Sequence, residues 1–378
     1  MTNNRAGFFQ KQLEGYSAFV PKRLPPAPPV QLEAMRLILS QADLNIGRLD
    51  GITQTLPNPE MFVAMYVKKE ALLSSQIEGT QASLIDILDA EDEDEDLKPV
   101  REVVAYVDAI NYGLERLETL PLSLRLLREI HERLLRNGRG SNRNPGEFRT
   151  SQNWIGPAGS NLTNAAFIPP TVSDMKIALA ELESYFYDER DTLPPLVKIA
   201  LIHSQFETIH PFLDGNGRMG RLLITFWLCQ QHILSQPLLY LSYYFKRNRA
   251  EYYDRLMAVR INGQWEEWVK FFLCGVSEVA EEACETAKKI LRLRESVKET
   301  LTKERNTSLL RLFDHMFERP IMTVREAERF LGVSNTTAGS AVERLVQIGI
   351  LRDATPGMQR KKKFVFHEYV KLLEAGTE

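Results

Sequence analysis

The chain is poor in cysteine, with three in 378 residues, at positions 229, 274 and 284. Their odd number and the lack of a C-x-x-C pair argue against a disulfide framework or a cysteine zinc site as the organising feature. The chain also lacks an apolar segment near residue 1 and any run of the ~18–20 apolar residues that a membrane span needs. We therefore expect a cytoplasmic protein with structural thiols and no membrane partner.

A strong charge of one sign is absent as well. The net charge is −3, while 26% of the residues are charged and 44% are hydrophobic. These proportions are ordinary for a globular protein, and they give no whole-chain argument for binding nucleic acid or a membrane. Residues 91–96 are consecutive acids, which repel one another and predict a solvated loop. The length suits two or three domains.

The most informative stretch is residues 210–221, which read HPFLDGNGRMGR. It places a potential base, His210, shortly before a carboxylate, Asp214, and then two glycines around an asparagine. Arg218 and Arg221 follow at a spacing that puts both on one face of a helix. A base, a carboxylate and two cations in this order predict a site for a polyphosphate.

Helices are expected on both sides of this stretch. Apolar residues at helical spacing from Leu196 to Ile209 predict a helix before it, and the apolar run 222–229 predicts one after it. The second helix should begin near Asn216 or Gly217. Free N–H groups and the positive end of the helix dipole make such a helix start suited to anions.

Other glycine-rich motifs fit this stretch less well. Gly215, Gly217 and Gly220 satisfy G-x-G-x-x-G, but a helix rather than a strand precedes them, and no acid to hold a ribose follows about 20 residues later. A P-loop would end in Gly-Lys-Ser or Gly-Lys-Thr, which is not found here. A plain polar loop between helices is the remaining alternative, and the complete ordered set makes it the weaker one.

His-Pro-Phe-x-Asp-Gly-Asn-Gly-Arg-x-x-Arg resembles the signature of the Fic domain family at every fixed position. Most characterised members resemble AMP transferases, a class of nucleotidyltransferase that moves AMP from ATP to a hydroxyl side chain of a target protein. The resemblance implies an all-α fold, a Fic-type helical bundle core with a β-hairpin flap. It also implies ATP as co-substrate and Mg²⁺ as cofactor.

The family pattern implies a role for each residue of the motif. His210 would be the catalytic base, because a neutral imidazole with a reference pKa near ~6.5 is available at cellular pH. Asp214 would be the metal ligand and Phe212 the anchor of the loop. Arg218 would hold the β-phosphate and Arg221 the γ-phosphate.

The remaining nucleotide contacts come from the same pattern. Backbone N–H groups and the Asn216 amide would reach phosphate oxygens, and a later helical region would border the adenine pocket. The residues expected to bind ATP are Gly215, Asn216, Gly217, Arg218, Met219, Gly220, Arg221, Asn248, Tyr252 and Tyr253. For the two tyrosines, packing in the core is an equally open interpretation.

Residues 74–79 read SSQIEG and resemble the inhibitory-helix motif of many Fic proteins. A helix capped by Asn58 and reaching about Glu78 would place Ser74 and Glu78 one turn apart on one face. In the family this glutamate pairs with the second motif arginine, here Arg221, and crowds the γ-phosphate position. The resemblance therefore implies that Ser74 and Glu78 inhibit the site of their own chain.

Between residues 138 and 170, glycine, proline and asparagine surround a short β-prone run, Phe148–Ile155. The sequences PGEFR at 145–149 and QNWIG at 152–156 resemble the flap of Fic proteins, which holds the target segment by strand pairing. An ordinary hairpin stays open as the alternative. The residues expected to dock the target are Gln152, Asn153, Trp154 and Ile155.

Patterns elsewhere give coarser expectations. The prolines within residues 1–30 predict an extended leader, and apolar spacing predicts a helix over residues 32–49. His131 lies on the apolar face of a helix predicted from Ser123 to Leu135, so we expect a packed core histidine rather than a ligand. A helix carrying Trp265 and Trp268 should reach about Leu291.

The tail resembles a winged helix-turn-helix with a basic wing. Helices are predicted at Val324–Leu331 and Asn335–Gln347, and strands at 349–351 and 364–366 bracket the basic run 360–363. Residues 305–378 carry three more basic than acidic side chains, which permits contact with DNA phosphates without demanding it. Dimerisation or target docking would use the same module equally well.

We predict three parts: an N-terminal helical region, 1–100, with the inhibitory motif, a Fic catalytic core, 101–292, and a small winged-helix domain, 305–378. The leading hypothesis is a self-inhibited protein adenylyltransferase with ATP and an unknown target protein as partners. A hydrolase that removes AMP, a bifunctional enzyme and a DNA-binding transcriptional regulator are the alternatives. Self-modification, homodimer formation and transfer of another nucleotide or of phosphate stay open.

Overall fold

A computed structural model describes residues 4–55, 59–89, 98–136, 138–157, 159–304, 306–358, 362–375 and 377. Three sequence predictions therefore lie wholly or partly outside the described residues. They are the solvated acidic loop at 91–96, the cap at Asn58 and the first half of the basic run 360–363.

The described chain is mainly helical, as predicted, and strands are few and short. The helices are α1 Arg36–Thr55, α2 Pro59–Ile77, α3 Leu84–Asp89, α4 Lys98–Leu117, α5 Leu124–Leu134, α6 Val172–Phe186, α7 Pro195–Ile209, α8 Asn216–Gln230, α9 Ser242–Arg247, α10 Arg249–Asn262, α11 Trp265–Lys303, α12 Thr307–His315, α13 Val324–Leu331, α14 Asn335–Gln347 and α15 His367–Glu374. The strands are β1 Gly7–Lys11, β2 Ser17–Pro21, β3 Ile321–Thr323, β4 Arg352–Asp353 and β5 Lys363–Val365. None of the described helices combines the length and the apolar character needed to cross a bilayer.

Helices α7 and α8 form the centre of the fold. Every residue of α7 after Pro195 is buried, and so is nearly every residue of α8 as far as Leu228. A helix that is covered on all sides is mainly apolar, and both helices are, although α7 also buries His203 and Glu207 and α8 also buries Arg218 and Arg221. Helices α2, α4, α6, α10 and α11 pack around this pair, so the loop joining α7 to α8 is set on a rigid base.

Several element boundaries differ from the sequence predictions. The extended leader is wrong in part, because β1 and β2 pair as an antiparallel hairpin from Gly7–Pro21 to Lys11–Ser17. Phe19 on β2 is fully buried, so this hairpin is packed on the core by an aromatic side chain. Helix α1 runs from Arg36 to Thr55 instead of 32–49, and α11 continues to Lys303 instead of ending near Leu291.

The predicted strand Phe148–Ile155 does not form. Within residues 138–157 and 159–170 the strand pairing is a single antiparallel bridge between Ile155 and Phe167. The side chains of Arg149, Gln152 and Asn153 donate to main-chain carbonyls instead, so side-chain hydrogen bonds take the place of a strand ladder.

The tail consists of α12, a three-stranded antiparallel sheet in the order β3-β5-β4, and helices α13, α14 and α15. Helices α13 and α14 have the predicted bounds, because Thr323 and Ser334 cap their starts and Gly332 ends α13 with a φ of 68°. The predicted strands lie at 352–353 and 363–365 instead of 349–351 and 364–366.

The tail packs directly on the helical body. Lys69 of α2 donates from Nζ to the carbonyl of Ala375 at 2.6 Å, and Lys363 of β5 is 2.7 Å from the Asp89 carboxylate at the end of α3. The buried apolar side chains form one connected cluster across the three predicted parts. The domain boundaries at 100, 292 and 305 therefore stay predictions.

Candidate active site

Helix α7 ends where the motif begins. The N–H of His210 closes the last turn by donating to the carbonyl of Phe206 at 2.9 Å, and His210 then takes a left-handed conformation, with φ 49° and ψ 62°. Such a conformation is uncommon for a residue with a side chain. It turns the chain sharply and directs it toward the start of α8.

The His210 imidazole lies in a positively charged surrounding. Its Nδ1 is buried and has no hydrogen-bond partner among the described residues. The pKa of His210 is lowered to about 3, mainly by burial and also by the nearby charges of Arg260 and Arg149, against the opposing effect of Glu78. The imidazole is therefore neutral at physiological pH, as a general base has to be.

The loop after His210 is closed by its own side chains. Phe212 is fully buried, as predicted for the anchor. The Asn216 amide accepts from the N–H of Phe212 and donates to its carbonyl, both at 2.8 Å. The predicted contact of this amide with a phosphate stays a prediction, and in the structure the oxygen and the nitrogen of the amide each already bond to Phe212.

His131 supports the same loop from α5. Its Nδ1 accepts the N–H of Gly146 at 2.9 Å, so Nε2 carries the proton and donates to the carbonyl of Asp214 at 3.0 Å. The ring stacks on Phe212 with centroids 3.7 Å apart, and burial lowers its pKa to about 4. The predicted core histidine is confirmed.

The start of α8 collects the two motif arginines. Gly215 precedes the helix with a φ of 77°, and Arg218 and Arg221 are each 2% exposed. Among the described residues, Nε and Nη1 of Arg218 and Nη1 of Arg221 have no hydrogen-bond partner. Buried donors without partners are costly, so the geometry calls for an acceptor such as a phosphate.

The Asp214 carboxylate lies beside these cations. It accepts the N–H of Gly215 at 2.6 Å, and its oxygens are 3.6 Å from Arg218 Nη2 and 3.9 Å from Arg139 Nε. The carboxylate is partly exposed at the mouth of the site. No sequence pattern predicted that Arg139 lies near the motif, because its loop is far from the motif along the chain.

Glu78 lies over the start of α8. Arg221 donates from Nη2 to Glu78 Oε1 at 2.7 Å, from Nε to Ser74 Oγ at 2.8 Å and from Nη2 to the Ser74 carbonyl at 3.0 Å. A Cβ on Gly217 would be 2.3 Å from Glu78 Oε1, so only glycine leaves room for this carboxylate. Burial opposes ionisation of Glu78, but Arg221 outweighs it and holds the pKa below its usual value.

Family profiles match the parts of the chain that build this site. The profile described as Fic/DOC family N-terminal matches residues 37–115, and the profile described as Fic/DOC family matches residues 121–228. This chain is a Fic domain protein. The first profile covers Ser74 and Glu78, and the second covers the whole motif, 210–221.

The Fic domain is similar to curated proteins named protein adenylyltransferase Fic. The protein from Culex quinquefasciatus is 32% identical over 151 residues, and that from Aedes aegypti is 31% identical over 151 residues. Each match covers 40% of this chain and 27% of the relative, so the chain spans little more than a quarter of the length of these relatives. A Fic family protein from Desulfovibrio desulfuricans G20 shares the fold, with a TM-score of 0.58 and 17% identity over 90% of this chain and 97% of that chain.

The end of α2 in this Fic domain is held by two further arginines. Arg249 donates to the carbonyl of Ile77 at 3.1 Å, and Arg139 donates to the carbonyl of Glu78 at 2.9 Å. Cations at a helix C-terminus satisfy its free carbonyls and complement its dipole. Gly79 then ends the helix with a φ of 96°. Both arginines were missed in the sequence, because nothing in their local pattern points to α2.

Two buried acids lie on other sides of Arg221. Burial raises the pKa of Glu207 on α7 and of Glu70 on α2 to about 7 each, while Arg221 lowers both. Glu70 accepts from the Ser242 hydroxyl, and Glu207 Oε1 has no partner among the described residues. Arg221 therefore lies among three carboxylates, of which only Glu78 forms a direct ion pair with it.

The residues predicted for the adenine pocket divide into two groups. Tyr252 is 1% exposed and shares a hydrogen bond with His203, and Met219 is fully buried, so neither side chain is open to a ligand. The Asn248 amide donates to the carbonyl of Tyr244 between α9 and α10. Tyr253 is 36% exposed and lies against Arg249 near the site, so it is the side chain of this set best placed to meet a nucleotide.

The four residues predicted to dock a target also differ in position. Asn153 points inward and donates to the carbonyls of His210 and Phe212 at 3.1 and 3.0 Å. Gln152 donates to the carbonyls of Asn153 and Pro169, and Ile155 forms the bridge to Phe167. Trp154 is 41% exposed, and its indole donates to the carbonyl of Ser160.

Proposed function

We propose that the chain is a protein adenylyltransferase that transfers AMP from ATP to a Ser, Thr or Tyr hydroxyl of a target protein. The observation that carries the proposal is a neutral His210 next to a helix start where Arg218 and Arg221 keep buried donors without partners. The relatives named protein adenylyltransferase support the same reaction. The free thiols at 229, 274 and 284 are compatible with the cytoplasmic location that we propose.

The proposed step is an in-line displacement at the α-phosphorus. His210 accepts the proton of the target hydroxyl as its oxygen bonds to that phosphorus, and the bond to the bridging oxygen breaks to release pyrophosphate. Arg218 and Arg221 bind the β- and γ-phosphates and neutralise the charge of the leaving group. The N–H groups at the start of α8 add further donors.

The proposed Mg²⁺ fits the site as a companion of the nucleotide. Among the described residues, no group of three or more His, Cys, Asp or Glu side chains could hold a metal ion by itself. Mg²⁺ commonly uses one or two carboxylates together with substrate phosphates, and Asp214 offers one such carboxylate beside the arginines. Bound there with Asp214 as its protein ligand, the ion would supply positive charge that stabilises the negative charge of the phosphates.

We also propose that Glu78 inhibits this activity in the same chain. Its carboxylate pairs with Arg221 at 2.7 Å and lies against Gly217, where an anion bound at the start of α8 would lie. A γ-phosphate would meet a cation that is already neutralised and a like charge at close range. Ser74 supports this state, because it accepts from the same guanidinium.

The experiment compares incorporation of label from α-³²P-ATP with Mg²⁺ into the chain itself and into a lysate of proteins. We expect little incorporation by the wild type, a strong rise in Glu78→Gly and none in Glu78→Gly with His210→Ala. Glu70→Gln is the matched control, because this acid is also buried near Arg221 but forms no ion pair with it. Mass spectrometry of all proteins after the incubation, whether labelled or not, separates a gain of AMP from a gain of phosphate, because the α-label does not report transfer of the γ-phosphate.

Three outcomes would contradict the proposal. If label is still incorporated when His210 is replaced, this residue is not the base. If incorporation does not rise in Glu78→Gly, Glu78 does not inhibit the activity. A target protein that gains the mass of phosphate instead of AMP would mean that the reaction is phosphate transfer. Release of AMP from an already modified protein, lost in Glu78→Gly, would instead assign the hydrolase, with Glu78 positioning water.

For the tail we propose a winged helix-turn-helix, supported by the packing of α12, α13 and α14 on one another and by the antiparallel β3-β5-β4 sheet. DNA binding stays a prediction. The exposed face of α14 is polar, and its Arg344 forms an ion pair with Glu304 at 2.8 Å. Dimerisation likewise stays a prediction.

A further inference from the structure

The backbone around His210 is held by one loop. The carbonyl of His210 accepts two hydrogen bonds at 3.1 Å, one from Arg149 Nε and one from Asn153 Nδ2. The next carbonyl, of Pro211, accepts the N–H of Arg149 at 2.9 Å, and the carbonyl of Phe212 accepts Asn153 Nδ2 at 3.0 Å. Two residues of the loop before α6 thus bind three consecutive carbonyls of the motif.

This arrangement coincides with the unusual backbone of His210. A residue with a side chain takes a φ of 49° only when its surroundings favour it. The orientation of the imidazole follows from that backbone, because its χ1 axis leaves the same Cα. Loss of either donor would leave the His210 carbonyl with one of its two hydrogen bonds and weaken the hold on the turn.

Arg149 also brings a charge that no described carboxylate neutralises by direct contact. It is 1% exposed, and its other donors go to the carbonyls of Ser151 at 3.2 Å and Pro170 at 2.6 Å. The charged groups that act on His210 are Arg149 from this loop, Arg260 from α10, and Glu78 from the end of α2.

We propose that Arg149 and Asn153 are positioning residues for His210, which hold its backbone in the conformation that aims the imidazole. The positive charge of Arg149 additionally disfavours protonation of the imidazole. The inference rests on the proposed role of His210 as base. It gives Asn153 a task different from target docking. Its contacts face the motif rather than the surface.

The kinetic test uses Glu78→Gly as background and adds Arg149→Lys, Arg149→Met or Asn153→Ala. We expect kcat for AMP transfer to fall about 10–100-fold in each, while KM for ATP changes less than about threefold, because misplacement of the base affects the chemical step. Arg149→Met should also move the acid limb of the pH profile to higher pH, since a positive charge beside His210 is lost. Arg149→Lys and Asn153→Ala should leave that limb in place.

The matched control is Arg128→Met. Arg128 donates to the carbonyl of Gly146 in the same loop and does not contact the motif. A general loosening of the loop would therefore affect this variant as well. Thermal unfolding shows which variants are folded, and if Arg149→Met is not, Asn153→Ala and Arg149→Lys decide the question.

A second measurement does not depend on activity. Imidazole signals in ¹H–¹⁵N NMR, assigned to His210 by comparison with His210→Gln, report protonation between pH 8 and pH 4. We expect the wild-type and Asn153→Ala signals to stay those of the neutral ring over this range, and the ring in Arg149→Met to begin to protonate at a higher pH than in either of them. If no variant transfers AMP, the proposed function is wrong. The NMR titration would then still test whether Arg149 acts on His210.

Two results would overturn the inference. One is a loss of rate in Asn153→Ala no greater than in Arg128→Met. The other is an unchanged His210 titration in a folded Arg149→Met variant.

Discussion

Arg221 is the residue on which the proposed substrate binding and the proposed inhibition converge. Its guanidinium is buried, and two of its nitrogens are already bonded to Ser74 and Glu78. Only Nη1 has no partner among the described residues. A nucleotide therefore has to displace contacts rather than fill an empty site, and each of these contacts should contribute separately to inhibition.

The variant Ser74→Ala tests whether the contacts of Arg221 contribute separately to the proposed inhibition. The hydroxyl accepts a hydrogen bond from a charged group, which is worth about 1.5–3 kcal/mol, so we expect AMP transfer to rise roughly tenfold. The rise should be smaller than in Glu78→Gly, because the ion pair and the bond to the Ser74 carbonyl are retained. The measurement is the initial rate of label incorporation from ATP.

Ser75→Ala is the matched control for this variant. Its hydroxyl is equally buried on the neighbouring position of α2 and has no partner in the described structure. A similar rise in both variants would mean that loosening of α2, rather than the bond to Arg221, relieves inhibition.

At the scale of elements, the end of α2 is the part of the molecule most open to change. The carbonyls at its end are held by Arg249 at the start of α10 and by Arg139 from the loop after α5, and Gly79 follows at once. Eight residues earlier the same helix is held by Glu70, which accepts from Ser242. Release of Glu78 therefore requires movement of the last turn and not of the whole helix.

Arg249→Ala should loosen that turn. With the carbonyl of Ile77 left without its cation, we expect faster amide exchange over residues 76–80 and a rise of a few fold in AMP transfer, since such end contacts contribute about 0.3–1 kcal/mol. Hydrogen exchange followed by mass spectrometry measures the first effect. Arg247→Ala is the control, because Arg247 pairs with Glu278 and does not bond to α2.

The elements also differ in how well the sequence predicts them. Helices α7, α13 and α14 follow from apolar spacing and from local caps, so their bounds were predicted within a residue. The conformation of segment 138–170 was not predicted. It depends on hydrogen bonds from Arg149 and Asn153 to carbonyls about 60 residues away in the chain. Local patterns carry no information on such distant bonds.

The residues of the candidate site also differ in how well the sequence predicts them. The base, the carboxylate and the two arginines were proposed from their order in the motif, and their roles stay predictions. The pairing of Glu78 with Arg221 was expected only from the resemblance to a family, since the two residues are 143 positions apart. Asn216 and Tyr252 were assigned to the nucleotide, and in the structure both form internal hydrogen bonds.

At the scale of the molecule, the tail is joined to the helix that carries Glu78. Lys69 lies two turns before Glu78 on α2 and donates to the carbonyl of Ala375, while its ammonium lies 4.3 Å from the centre of the Tyr240 ring. Lys246 of α9 donates to the carbonyl of Thr377. The segment after α15 is thus held by two lysines of the helical body.

Lys69→Met should release this segment. Burial lowers the pKa of Lys69 to about 8, because the charged ammonium is unfavourable in this buried position. Removing the charge therefore offsets part of the loss of the hydrogen bond, and we expect the free energy of unfolding to change by less than about 1–2 kcal/mol. Amide exchange over residues 367–377 should rise clearly. Lys270→Met, at an exposed position of α11, is the control, and equal exchange in both variants would show that Lys69 does not hold the tail.

The carboxylate of Glu78 is in effect a phosphate mimic tethered to the protein it would block. A tethered competitor cannot be diluted, so its local concentration is set by geometry and not by the amount of protein. Short flexible tethers reach roughly millimolar effective concentrations, and a helix held at several points exceeds them. More ATP would therefore change little. A partner that moves the last turn of α2 would change the rate at any level of ATP.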